Sequence, residues 1–219
     1  DLIEPHETFS ITQYLRAAHQ AVEEIRGRGR LPIFVGGSPL YMKGLLRGFY
    51  GGPAPDWEFR EAVQQDVAAH GSEALHRRLT QVDPLTAHRL PHTDIRRITR
   101  ALEVAYLTGQ PLSHWQHQFE TERAGHQCLV FALDLPRPQL RKRIAARVDS
   151  MFADGLIDEV REIQQAAADP RAAFSRTAGQ AVGYRETLDY LAGQLAHGET
   201  IEAVKTHTRQ LAKRQLTWL

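Results

Sequence analysis

Two short apolar runs limit what this chain can become. The first, Ile33-Phe34-Val35, follows Leu31 and Pro32 and turns at Gly36-Gly37 into a helix-compatible stretch from Pro39 to Leu46. It does not alternate polar with apolar, so it reads as a strand buried on both faces, as in a parallel sheet. The strand pattern returns at Cys128-Leu129-Val130-Phe131-Ala132-Leu133, which ends on Asp134. Pro136 and Pro138 then open a helix whose apolar face is Leu140, Ile144, Val148 and Met151. A helix is also predicted ahead of the first run, over Phe9 to Arg26, capped by Ser10 or Thr12 and closed by Gly27-Arg28-Gly29. Helix, apolar strand, glycine turn and helix together predict an α/β fold.

Between the two runs the character changes. Pro53 and Pro55 interrupt the chain, and polar helical segments follow at Glu58 to His70, Ser72 to Gln81 and Asp94 to Leu107. None shows β-type alternation, so 52–122 reads as an all-helical insertion between a first core part, 1–51, and a second, 123–219. Further helices are expected from Leu156 to Ala167 after Gly155, from Tyr184 to Leu191 and from Ile201 to Leu219.

With 27 basic and 26 acidic residues the net charge is +1, so composition does not point to a polyanion. Any such signal must come from where basic residues cluster. The single cysteine, Cys128, excludes an intrachain disulfide and fits a reducing, cytoplasmic setting. No apolar run approaches the roughly 20 residues that cross a bilayer, so no membrane association is expected. The chain opens on Asp1 rather than Met and closes on Leu219 directly after Trp218, and is read as part of a longer protein. There is no Cys-x-x-Cys, and Pro91 separates His88 from His92, so no metal site is predicted.

Five groups could carry chemistry. Gly36-Gly37-Ser38 presents backbone N–H groups and a hydroxyl at the carboxyl edge of a sheet, where ligands bind in open α/β folds. On local residues alone the plainer reading, a strand-to-helix turn with Ser38 as cap, is favoured. Arg143 and Arg147, four apart with Arg141 and Lys142 nearby, suit a phosphate or pyrophosphate. The alternative is a solvated face paired with Asp149 or Glu159. Arg96, Arg97 and Arg100 lie on one side of a helix and could grip an RNA backbone, or be an ordinary charged face. Gly179 to Arg185 combines glycines, an amide, an aromatic ring and an arginine, the parts for reading an unstacked base, or an ordinary helix entry. On the last helix Lys205, Arg209 and Lys213 recur every four residues beside Arg214. Opposite a seam of Val204, Leu211 and Trp218, they suit tracking of phosphates, or are the charged side of an ordinary surface helix.

The order of these motifs is more specific than any one of them. Asp1-Leu2-Ile3-Glu4-Pro5, VGGSPLYMKGLLRG, RRITRALEV with Thr108 to Leu112, AVGYRE and TRQLAKRQLTWL follow one another along nearly the whole chain. In that order they resemble the tRNA dimethylallyltransferase family. The resemblance implies a core like that of a P-loop kinase with a helical insertion that embraces the anticodon stem. It also implies transfer of a prenyl group from dimethylallyl diphosphate to N6 of the adenosine 3′ to the anticodon, with magnesium assisting departure of pyrophosphate and its ligands expected in the family's N-terminal segment rather than in these residues. A monomer is expected. By resemblance, Ser38 stands where the family usually has a threonine that contacts the target adenosine. Arg147 faces the diphosphate with Arg143 assisting. Arg60, Arg96, Arg97, Arg100, Gln180, Gly183, Tyr184, Arg185, Lys213, Arg214 and Thr217 meet the tRNA.

One departure stands out. The family's glycine-rich G-x-x-x-x-G-K-[ST] loop and the Asp-Ser segment carrying its general base are not in these residues. The chain alone is therefore expected not to transfer the prenyl group. Two other readings stay open from sequence: a small-molecule kinase with an arginine lid, and an RNA-binding module without chemistry.

Overall fold

The computed structural model describes residues 2–48, 51–116 and 128–218. It divides into two compact units, one made of residues 1–39 and 128–219, the other of 40–127.

The continuous unit is helical. Helix α2, Pro39–Arg47, leads into it. Helix α3, Trp57–Val82, starts on Asp56, whose side chain accepts from the Phe59 N–H, and breaks at Gly71 (φ 79°, ψ 165°). The break falls between the two helical segments expected from sequence. Helix α4, Pro84–Arg89, is capped by Asp83, and α5, Ile95–Thr108, by Asp94. Gly109 ends α5 in the left-handed region at φ 69°, where a side chain would be strained. Helix α6, Leu112–Gln116, follows. Leu75, Leu79, Ile98, Ala101 and Leu102 close the core with Val63 and Ala87. Each fully buried Leu or Ile contributes about 2 kcal/mol by leaving water.

Two carboxylates lie inside this unit. Asp83, 1% exposed, accepts from Thr86 N–H (3.0 Å), Thr86 O–H (2.7 Å) and Ser113 N–H (2.8 Å). Burial works to raise its pKa, and these hydrogen bonds more than offset it, so the group ends below its ordinary value. Asp83 thereby joins the end of α3, the start of α4 and the start of α6. Glu103, fully buried, is the second.

The discontinuous unit holds α1, Ile11–Gly27, in which Ser10 and Gln13 form a reciprocal capping box. Helix α7, Arg137–Ala153, packs on α10, His197–Trp218, through Ile144, Val148 and Val204, with Leu140, Phe152, Val182, Ile201 and Ala212 around them. Gly155, at φ 101°, turns α7 into α8, Leu156–Ala166. Helix α9, Tyr184–Leu191, leads towards α10. Of the seam expected on α10, Val204 packs at 1% exposed, Leu211 is 38% exposed, and the Trp218 side chain lies outside what the structure describes. A straight helix drifts off a seven-residue repeat, and Ile201, Val204 and Ala212 follow its 3.6-residue turn instead.

The two apolar runs form no strand here, and the described residues contain no β-strand. Ile33, Val35, Leu129 and Leu133 are 77%, 94%, 88% and 94% exposed. No backbone–backbone hydrogen bond from 31–38 or 128–135 occurs among the described residues. A strand is stabilised by a neighbour's ladder and a face to bury, and among the described residues these runs have neither.

Candidate functional site

Helix α10 organises the basic residues of the discontinuous unit. Its side facing α7 lines a groove of about 640 Å³. Arg137 and Arg141 reach it from α7, one turn apart, and Arg209 and Lys213 from α10 at the same spacing. Leu140, Ile144, Ala212 and Leu216 form its floor, and no Asp or Glu lines it. Arg209 donates to Thr206 Oγ1 (2.8 Å), which fixes its head at the wall. Thr217 donates to the Lys213 carbonyl (2.9 Å). A second hollow, lined by Gln210, Lys213, Arg214 and Thr217, continues the basic surface around the helix.

One basic residue of α10 outside the groove is neutralised. Lys205 bonds Asp149 (2.8 Å) and Glu202 (3.0 Å), and these bonds raise its pKa. It therefore drops out of the four-residue basic stripe read from sequence. Arg143 and Arg147 lie exposed on the flank of α7, outside the groove. The two carboxylates that could have paired them are taken: Asp149 by Lys205, and Glu159 by the Tyr184 hydroxyl.

The glycine turn sits elsewhere on α10. Gln215 Nε2 donates to the Gly37 carbonyl (2.9 Å). A Cβ on Gly37 would stand 2.2 Å from that nitrogen, so the close approach depends on glycine. Ser38 is exposed beside it. Gln215 lies about 200° around the helix from Lys213, so this turn and the groove use different sides of α10.

The loop at 180–185 is anchored from below. Gly183 has φ 103°, and its N–H donates to Glu186 Oε2 (2.7 Å). Glu186, 3% exposed, also meets His207 Nδ1 of α10 (2.5 Å). Tyr184 stacks edge-on against Phe174 at 5.5 Å. Burial, with the bond to Glu159, pushes its hydroxyl up to about 12, so it stays protonated. Its ring and hydroxyl serve the fold, while Gln180 and Arg185 are exposed.

In the helical unit the arginines divide. Arg60 donates to Glu103 through Nε (2.7 Å) and a terminal nitrogen (2.8 Å), and its head lies 5.1 Å over the Trp57 ring. Arg100 donates to Glu103 (2.6 Å) and to the Pro53 carbonyl (2.9 Å). The Asp56 N–H completes the set on Glu103 (2.9 Å). Burial works to raise the Glu103 pKa, and the bonds from Arg60, Arg100 and Asp56 bring it below its ordinary value. Arg96 and Arg97 are exposed, with Arg97 3.2 Å from Asp94. Sequence reasoning missed Arg137; its signal was its place four residues before Arg141, on the side of α7 that turns to α10. It also missed Glu103 and Glu186, whose burial only tertiary packing reveals.

Known proteins of similar sequence and structure point one way. A tRNA dimethylallyltransferase of Rhodopirellula baltica is 50% identical over 219 residues, all of this chain and 64% of the relative. The chain thus spans less than two thirds of that relative's length. One of Geobacillus kaustophilus is 43% identical and 68% covered. The tRNA isopentenylpyrophosphate transferase of Bacillus halodurans superposes with a TM-score of 0.62 at 34% identity, over the whole chain and 66% of that structure. A eukaryotic dimethylallyltransferase solved acting on tRNA gives 0.76 at 25% identity, over 99% of this chain and 54% of its own. The IPP transferase family model matches residues 1–219, from end to end, and the chain belongs to that family.

Proposed function

We propose that this chain is the tRNA-holding and donor-facing part of an enzyme that transfers a dimethylallyl group from dimethylallyl diphosphate to N6 of the adenosine 3′ to the anticodon, releasing pyrophosphate. The observation that carries this reading is the family match over every residue, joined to a cationic surface on α7 and α10 with no carboxylate in its lining.

In the reaction the N6–carbon bond forms as the carbon–oxygen bond to the diphosphate breaks, and N6 gives up a proton. The base must leave the anticodon stack to react. The exposed Ser38 hydroxyl is available to hydrogen-bond it. Arg143 and Arg147, free of the carboxylates beside them, suit the growing charge on the leaving diphosphate. Gln180 and Arg185 offer an amide and a guanidinium to anticodon bases above the loop that Gly183 and Glu186 hold. Lys213, Arg214 and Thr217 supply contacts along the strand, and Arg96 and Arg97 from the helical unit. Arg60 and Arg100, bonded to Glu103, shape the face that presents Arg96 and Arg97.

Magnesium does not fit the residues described. No group of three or more His, Cys, Asp or Glu among them could hold a metal ion, and the groove is lined by cations where a hard divalent ion needs oxygen ligands. The parallel-sheet core belongs to this proposal as well: 33–35 and 128–133 are the segments that would enter a sheet, since both are apolar and exposed. No helix among the described residues is long and apolar enough to cross a membrane. A cytoplasmic monomer is the working state.

The test is incorporation of label from dimethylallyl diphosphate into an anticodon stem-loop. The intact protein should label the adenosine 3′ to the anticodon. Residues 1–219 alone should bind the RNA and leave it unlabelled, for want of the family's glycine–lysine loop. No labelling by the intact protein would refute the reading.

A further inference from the structure

Several basic residues of the chain are neutralised by an acid. Arg60 and Arg100 have Glu103, Arg97 has Asp94, Arg161 has Asp158, and Lys205 has Asp149 and Glu202. Arg137, Arg141, Arg209 and Lys213 converge on one groove, and among the described residues none has an ion-pair partner. Four like charges around one hollow repel one another, and an anion between them relieves that repulsion.

The shape indicates which anion. The groove runs between two helices and continues past Lys213 and Thr217 to Arg214. Along each helix the cations are spaced by four residues, about 6 Å. A continuous track with cations on both walls suits successive phosphates of a strand better than one small ion. Its apolar floor is accessible to sugar edges and contributes no sequence reading.

We propose that the α7–α10 track binds the backbone phosphates of an RNA strand, with Arg137, Arg141 and Arg209 as contacts beyond the terminal Lys213-to-Thr217 segment. The proposal rests on the reading that the chain acts on tRNA. It makes α7 a two-sided helix, with Arg143 and Arg147 turned to the donor and Arg137 and Arg141 turned to the RNA.

The experiment is the salt dependence of anticodon stem-loop binding by the intact protein, followed by fluorescence anisotropy. Arg137→Ala and Arg209→Ala should each weaken binding and flatten the plot of log affinity against log salt by about 0.7 to 0.9 for each phosphate no longer neutralised. Arg137→Lys should keep the slope. Lys205→Ala, which removes a charge already neutralised one turn before Arg209, should leave the slope unchanged. Arg209 is half-buried and bonds Thr206, so should its variant fail to fold, the exposed Arg137 decides. Unchanged slopes in Arg137→Ala overturn the proposal. So does a raised KM for dimethylallyl diphosphate with an unchanged RNA slope, which would make the track a donor site. Prenylation with unchanged slopes removes the track and leaves the reaction standing; flattened slopes without prenylation do the reverse.

Discussion

In the helical unit, Arg60 and Arg100 close on the buried Glu103. Between α7 and α10, four basic side chains face a groove with no carboxylate. The chemistry of the cations is alike in both places, yet one set completes a core and the other waits for an outside anion. What separates them is the position of a single acid. Glu103 needs several donors because a buried carboxylate left unpaired is costly. The groove cations are partly solvated and remain charged without a partner. A cluster of arginines therefore signals a ligand only once its own acids have been located.

The largest effect that can break this contrast is expected from Glu103→Ala. It strands the Asp56 N–H and leaves Arg60 and Arg100 unpaired, and should destabilise the chain by about 3 kcal/mol in urea unfolding. A change under about 0.5 kcal/mol would mean that the arginines are not held by the fold. Acid should have a related effect. The Asp83 and Glu103 pKa values are lowered in the fold, so their contribution is fully present above their ordinary values of 3.8 and 4.5. It is lost as pH falls through the lower folded values. Unfolding midpoints in Glu103→Gln should depend less on pH below about 4.5 than in the parent.

Arg147→Ala sharpens the other side. In the intact enzyme it should lower turnover about 100- to 1,000-fold, as removal of a group facing transition-state charge does. It should leave the unfolding midpoint in place, because Arg147 is exposed and among the described residues has no ion-pair partner. Weakened RNA binding at normal turnover would put Arg147 on the wrong substrate. The smallest expected effect is Gly37→Ala, which must push the Gln215 amide aside and break its bond to the Gly37 carbonyl. About 0.5 to 1 kcal/mol of stability should go with that bond, read by thermal unfolding.

Helices were legible because their signals are local. Ser10, Asp94, Gly109 and Gly155 start or stop helices where capping chemistry predicts. The break at Gly71 falls between two periodic segments. The strands were legible only as apolar runs, since a strand exists through its neighbour and these residues show none. At the candidate site, motif order identified the family, and spacing on α10 singled out Arg209 and Lys213, which line the groove. Spacing could not tell Lys205 from them, because Asp149 arrives from a distant helix. Nor could it show that Arg60 reaches Glu103 from more than forty residues away, beside Arg100, or that Tyr184 is tied to Glu159 while Arg185 stays exposed.

One paired measurement tests the division most directly: unfolding midpoint and salt slope of anticodon stem-loop binding, in the intact protein, for Arg100→Gln and Arg141→Gln. Arg100→Gln should lower the midpoint and keep the slope, while Arg141→Gln should keep the midpoint and flatten the slope by nearly one. Equal flattening by both, with stability unchanged in each, would contradict the division between arginines that hold the fold and arginines that hold RNA.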